Sequence, residues 1–453
     1  MLKNWIKSIL KDAVSEYFDD SDGRSKGIKR RWRYRRGVHD KPLRVKPRSP
    51  DDNIIVNFTG LLVDRSVSLL FGGEKDVRFD LPGDGETPEQ AYIDEVWQKN
   101  NKAEMLYDLA DYGAVSGVCA VKILSDDDYP DMQVIDPETL EIVVDQENIK
   151  KIIGYSITYT IIEYDERGNE RKLRRQQVIA PDEDTEGKTW LVHDYKQNRH
   201  GKMEEMEDSP VVWEYEFAPL VHWKNLPLAG SQYGRPDLTE DVIEINDAIN
   251  MTLSNAQKVM RLQAHQRVWG KMLGTMNISN WGVDKILTTQ SPEAEVKALE
   301  AGGDLSGMRE FAIMLRDAMM SIARSPDPST FKDKVGQITN FALRVLYKDA
   351  LDKLETKRRL YGDGLRELNR RLLLLNGMNG DAGRVVWDKA LPEDDIAQIN
   401  ALTSDVALGI ASKETAAKKR GYDWEDEKER ISSEAQDADN IGGLILSRFD
   451  RGQ

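Results

Sequence analysis

The chain has 453 residues, of which 40% are hydrophobic and 32% charged, with a formal net charge of −15. That length allows two to four domains, and the composition excludes a membrane protein and a wholly disordered chain. The acidic balance argues against a surface that grips nucleic acid everywhere, but not against a wall that surrounds DNA and lets it slide.

Residues 2–18 place Leu2, Trp5, Ile6, Ile9, Leu10, Ala13 and Tyr17 on one helical face. The opening MLKNWIKSIL lacks the small-residue cleavage site of a signal peptide. From Arg24 to Arg48 come twelve Lys/Arg around the core KRRWRYRR. The plain expectation is a solvated arm. The alternative is nucleic-acid contact, with Trp32 and Tyr34 interleaved among cations.

From Asn53 the pattern is helical, through Ile54, Phe58, Leu61, Leu62, Val63 and Val67, and stops at Gly72-Gly73. One further helix is expected over 87–112, followed by strands at 114–124 and 132–144. Ile153, Tyr155, Ile157, Tyr159 and Ile161 alternate with polar residues, DERGNE at 165–170 signals a hairpin turn, and a return strand follows near Leu173–Ile179. PDEDTEGK reads as an exposed loop and residues 213–223 as one more strand. Cys119, the single cysteine, lies in the apolar run GAVSGVCAVKIL and is expected to be a buried, inert thiol.

After Gly234-Arg235-Pro236 the sequence turns helical. Leu238, Val242, Ile245, Ile249, Leu253, Ala256 and Met260 mark a first long helix, acidic at its start and basic at its end, as the helix dipole favours. Leu305, Met308, Ala312, Leu315, Met319 and Ile322 mark a second. Between them, residues 263–302 hold Trp269, Trp281 and a strand-like KILTT at 285–289. The loop SPDPSTFKDKVGQ at 325–337 precedes a third helix over Ile338–Leu375, where Gly362 and Gly364 predict a bend. A C-terminal helical unit starts at LPEDD and becomes strongly acidic from Asp423.

Chemistry-bearing motifs do not emerge. There is no GxxxxGK[ST] loop, no paired-cysteine zinc spacing, and no local His–nucleophile pattern among His39, His193, His200, His222 and His265. Asp126, Asp127 and Asp128 after Ser125 could in principle hold Mg²⁺, although such a run is usually a solvated turn. No catalytic residue, metal or cofactor is expected.

Four segments together resemble the portal proteins of long-tailed phages, particularly those infecting Gram-positive hosts. They are NIIVNFTGLLVDRSVSLLFGG, PLVHWKNLPLAGSQYGRPDLTEDVIEINDAINMTLSN, VGQITNFALRVLYKDALDKLETKRRLYGDGLRELNRRL, and the VVWDKALPEDDIAQ stretch running on to SSEAQD. They follow the family's order over about residues 50 to 437. One departure is Thr339-Asn340, where the family usually carries a small residue and glycine.

The resemblance implies an α+β, mostly helical subunit with an α/β wing, a helical stem, a small α/β clip and a helical crown. The division expected is 1–50 N-terminal helix and basic arm, 51–236 wing, 237–262 first stem helix and 263–302 clip. Then come 303–324 second stem helix, 325–337 tunnel loop, 338–378 long bent wing helix, and 379–453 crown with acidic tail. It implies a homo-oligomeric ring, a dodecamer, at the portal vertex of the virion, assembled in the host cytoplasm with no membrane. Double-stranded DNA would pass the channel without sequence readout. The terminase large subunit, head–tail adaptor, major capsid protein and scaffolding protein would be its partners. Ser329, Thr330, Phe331, Lys332, Lys334 and Gln337 would face DNA from the tunnel loop. Trp269, Lys271, Asn280 and Trp281 would dock the motor and adaptor from the clip. The competing readings are a metal-dependent DNA-processing enzyme and a capsid or adaptor protein that never contacts DNA.

Overall fold

The computed structural model describes residues 18–433 except 46, 48–49, 73–76, 84–86, 125–127, 146, 165–167, 186, 199, 265–266, 272–291, 294, 300–304, 326–343 and 391–401. The chain divides into a first unit of residues 1–336 and 344–390 and a second of 337–343 and 391–453. In chain order the first unit carries α1 (Phe18–Arg35), α2 (Phe58–Phe71), β1 (Arg78–Asp80), α3 (Pro88–Lys99), α4 (Lys102–Ser116), β2 (Val118–Ile123), β3 (Met132–Val134) and β4 (Leu140–Val144). Then come β5 (Ile152–Tyr164), β6 (Glu170–Pro181), β7 (Trp190–Gln197), β8 (Met203–Glu205), β9 (Val211–Trp213) and β10 (Leu220–Lys224). The remainder is α5 (Glu240–Ala264), β11 (Arg267–Lys271), β12 (Glu295–Leu299), α6 (Leu305–Ile322), α7 (Lys348–Leu375) and β13 (Arg384–Val386). In the second unit α8 (Lys413–Lys419) lies between helical stretches at 402–407 and 424–433. The fold is α+β.

All strand pairs are antiparallel. The largest sheet has the order β4-β5-β6-β7-β8 with β9 beside β7, and a second has the order β10-β2-β3. Strand β2 is central and buried at five of its six positions, which suits its continuous apolar run. On its neighbour β10 packs α7, whose Leu365, Leu368, Leu372 and Leu373 are fully buried. The Trp97 indole of α3 donates to Asn369 Oδ1 of α7 at 2.8 Å, so the one polar group of that side chain is not left unpaired.

The first part of the basic arm forms α1, with Ile28 and Tyr34 fully buried, while Lys26, Lys29, Arg33, Arg36, Lys41 and Arg44 are exposed. Four of its cations are engaged by the core of the protein. Arg24 donates to Pro137 O (2.9 Å) and Leu140 O, Arg30 pairs with Glu240, Arg31 donates to Val115 O (2.8 Å), and Arg35 pairs with Asp64 (2.7 Å) and Asp111 (2.9 Å). Arg24 also stacks on the Tyr233 ring, whose hydroxyl accepts from Ile142 N, so the two residues cover the β4 edge. The helix is held because guanidinium groups reach carbonyls and carboxylates that composition alone does not reveal. Residues 2–17 lie outside the described residues.

Other expectations shift by identifiable causes. The single helix over 87–112 is two helices, because Asn101 adopts a left-handed φ of 51° and Asn100 spends its side chain on Val96 O, Pro130 O and Met132 N. Residues 114–116 finish α4 rather than start a strand, and β7 and β8 join the large sheet unforeseen. Gly362 and Gly364 both lie inside α7, where both are buried. Residues 384–386, expected in the crown, pair with β1 instead (Phe79↔Val385), and the first unit extends to residue 390. KILTT lies outside the described residues.

Candidate functional site

The two long amphipathic helices read from the sequence are α5 and α6, and they pack against each other. Between them β11 and β12 form a two-stranded ribbon with Trp269 opposite Lys297 and Lys271 opposite Glu295. Trp269 is 44% exposed and Lys271 is exposed, so both are available at the ribbon surface. Asn280 and Trp281 lie outside the described residues. So do all six tunnel-loop residues, Ser329, Thr330, Phe331, Lys332, Lys334 and Gln337.

What the structure does show is how α5 and α6 are anchored within the first unit. Along α5, Asn246, Asn250 and Ser254 recur every four residues on one buried face. Each accepts a hydrogen bond from the extended segment that leads into α2 or from the first residue of that helix. Phe58 N–H donates to Asn246 Oδ1 (3.2 Å), Val56 N–H to Asn250 Oδ1 (2.9 Å) and Ile54 N–H to Ser254 Oγ (2.9 Å). One helix thus satisfies alternate backbone donors of a strand-like segment that has no sheet partner. Arg261 continues the row with a bidentate pair to Asp52, both bonds 2.6 Å.

The second anchor is a buried ion cluster. Asp237, just before α5, accepts from Lys357 and from Ser66 Oγ (2.9 Å) through Oδ2, and pairs with Lys353 at 2.7 Å through Oδ1. The side chains of Asp237 and Lys357 are 4% and 3% exposed. Burial would raise the Asp237 carboxyl, but the two ammonium groups outweigh it and hold the carboxyl far below its ordinary range. Burial pushes Lys357 down from its ordinary value, against the pull of Asp237. Lys357 also borders Cys119 and Tyr361, where the thiol lies 3.2 Å from the phenol oxygen and burial raises it to about 12, keeping it protonated.

Lys353 has a further partner. It donates to Ala323 O at 3.0 Å, at the end of α6. That end is fixed by Ser325 N–H to Met320 O (2.9 Å) and Arg324 N–H to Ser321 O (3.1 Å) around Arg324 at φ 52°. These are the paired bonds of a helix terminated by a left-handed residue. The segment after Ser325 therefore departs from a defined point, clamped to the same lysine that holds the start of α5. Sequence reasoning missed this cluster because its members are spread over four elements. The one signal was Asp237 and two lysines on otherwise apolar lines.

Helix α6 is apolar on more than one face. Leu305, Met308, Ala312 and Ile313 line a cavity of ≈ 350 Å³ against α5, while Phe311, Met314 and Ile322, outside that lining, are 47%, 57% and 47% exposed. Exposed apolar side chains gathered on one helix mark a surface suited to a partner. Among the described residues no group of three or more His, Cys, Asp or Glu could hold a metal, and no helix is long and apolar enough to cross a membrane. Asp128 is described and exposed, whereas residues 125–127 are not described.

Comparison with protein families gives one match, to the model described as phage portal protein, SPP1 Gp6-like, over residues 11–440. No curated protein matches the chain. The matched span takes in both larger sheets, α5 and α6 with their anchors, and α7, and the chain belongs to the phage portal proteins, structural channel components of the capsid vertex.

Proposed function

We propose that the chain forms a closed ring at one capsid vertex, a dodecamer through which double-stranded DNA is packaged and later ejected. The observation that carries this reading is α6. Three of its large apolar side chains are 47–57% exposed in the single subunit, and covering them against neighbours contributes on the order of 4 kcal/mol per subunit. A head-to-tail contact that repeats by rotation closes into a ring. The acidic chain, at −15, suits a wall that repels phosphate and lets DNA slide.

In this reading the ribbon β11–β12, with Trp269 and Lys271, docks the terminase large subunit and then the head–tail adaptor. Lys332 and Lys334 place a collar of weak, screened phosphate contacts around the duplex. The ring also meets the major capsid and scaffolding proteins. Electron microscopy of purified wild-type chain should show rings with a central hole, and Phe311→Glu/Met314→Glu should yield folded monomers. Rings that persist in that variant would remove α6 from the interface. In a packaging assay with proheads, motor and ATP, Lys332→Asp/Lys334→Asp should slow packaging or reduce retained DNA, and unchanged behaviour would detach the loop from DNA.

A further inference from the structure

The large wing sheet carries two unpaired patches of opposite charge at opposite ends. At one end β5 and β6 outrun their neighbours. The pairing of β6 with β7 begins only at Arg175, and that of β5 with β4 ends at Ile157, so the outer part of the hairpin is a free two-stranded ribbon. One face of it carries Ile162 and Tyr164, 51% and 67% exposed, with Glu170 opposite Tyr164, Lys172 opposite Ile162 and Arg174 one pair further in, a net positive face. At the other end lies β9, whose Val212 is 54% exposed, followed by exposed Glu214 and Glu216. Among the described residues, no ion pair engages Lys172, Arg174, Glu214 or Glu216.

The two patches cannot satisfy each other within one subunit. Arg174 lies seven residues along β6 from Pro181, which pairs with Trp190, itself paired with Trp213. Seven residues of strand span about 23 Å, well beyond any direct ion pair and beyond a Debye length. Each end joins apolar surface to unpaired charge, and the two ends complement each other in sign. Two copies related by the rotation that builds a ring bring the ends together, and every subunit then uses both.

We propose that the outer β5–β6 hairpin of one subunit packs on the β9 end of the next, with Ile162 and Tyr164 against Val212 and Lys172 and Arg174 against Glu214 and Glu216. This contact rests on the ring reading above and adds a second belt of subunit contacts at the wing, separate from the stem. A second copy is the occupant because the complementary surface is already in the chain.

The test uses the full-length protein and its assembly, read by native mass spectrometry and size exclusion. Lys172→Glu/Arg174→Glu should raise the concentration for half-assembly roughly tenfold, as should Glu214→Lys/Glu216→Lys. Combining all four changes in one chain should restore assembly to within about threefold of wild type. An equimolar mixture of the two charge-reversed variants should also assemble, with the variants alternating, which shows that each is folded. Ile162→Cys/Val212→Cys should give a disulfide ladder of linked subunits under mild oxidant, with no interference from Cys119, which is fully buried. Wild-type rings with no ladder, or reversals that assemble normally or are not rescued by combination, overturn the wing contact and leave the ring standing. A wild-type chain that remains monomeric overturns the ring, and the contact with it.

Discussion

Gly362 and Gly364 stand two residues apart on α7, and alanine at each should move stability in opposite directions. Glycine in a helix interior costs about 1 kcal/mol relative to alanine. At Gly362 an added Cβ would meet nothing nearer than Trp387 Nε1 at 3.9 Å, an ordinary contact. Gly362→Ala should therefore stabilise by about 0.5–1 kcal/mol. At Gly364 the same carbon would stand 2.4 Å from Trp223 Cδ2 and 2.6 Å from Cγ and Cε3. Trp223 is 6% exposed and packs edge-on against Tyr361, so its ring has little room to retreat. Overpacking of that kind costs about 1–3 kcal/mol and exceeds the helix-propensity gain. Urea unfolding of the two variants, followed by tryptophan fluorescence at one protein concentration, should separate them by about 1–3 kcal/mol, the overpacking cost, because the propensity gain is common to both. Trp223→Leu should relieve most of the Gly364→Ala loss. Equal stability of the two alanine variants would show that the close approach of Trp223 is not what Gly364 provides.

Asp237→Ala would leave Lys353 and Lys357 buried without an anion and should cost about 3–5 kcal/mol, whereas Lys357→Met keeps the Lys353 pair and should cost clearly less. Equal losses in thermal unfolding would refute that ordering. Because the folded carboxyl of Asp237 lies below its unfolded value of ~3.9, its contribution is complete above that pH and is lost as pH falls toward the folded value. The acid limb of the Asp237→Ala stability profile should be correspondingly flatter. Burial lowers the His222 imidazole from 6.5 to about 4, so stability should be complete above pH 6.5 and decline by up to about 3 kcal/mol as pH falls through that window. His222→Gln should flatten this decline, and an unchanged profile would refute it. Asn250→Ala strands the Val56 N–H and should cost about 1–3 kcal/mol, with faster hydrogen exchange at the Val56 amide as the readout.

Periodicity was sufficient for α5 and α7, which each bury a stripe that repeats every three or four residues, and for α6, whose apolar positions keep the same spacing; the alternating run in β5 was equally plain. The arm around KRRWRYRR was not legible. Whether Arg24, Arg31 and Arg35 meet solvent, phosphate or protein depends on carbonyls and carboxylates 76 or more residues away for the longest of these contacts. The break at Asn100-Asn101 was hidden because both residues are tolerated in helices, and only their partners near Pro130 make the interruption favourable. The Asp237 cluster and the unpaired wing charges need three-dimensional adjacency, or its absence, to acquire meaning. The two glycines looked alike in sequence because propensity sees only the backbone, while the space beside each is decided by Trp223 and Trp387.

The row of Asn246, Asn250 and Ser254 works as a vernier. Four residues of helix advance about 6.0 Å, while two residues of extended chain advance about 6.6 Å. The two scales therefore slip by about 0.6 Å per rung, so short side chains can follow for only a few rungs. Beyond Ser254 the longer Arg261 takes over and reaches Asp52. Because an extended backbone offers the same donors whatever its side chains, inserting or deleting one residue in 53–57 would leave N–H groups facing the rungs but exchange inward- and outward-facing side chains and carry Asp52 about 3.3 Å out of register with Arg261. The row of short side chains thus fixes how closely the segment lies along α5, and the ion pair at its end fixes which residue stands at each rung.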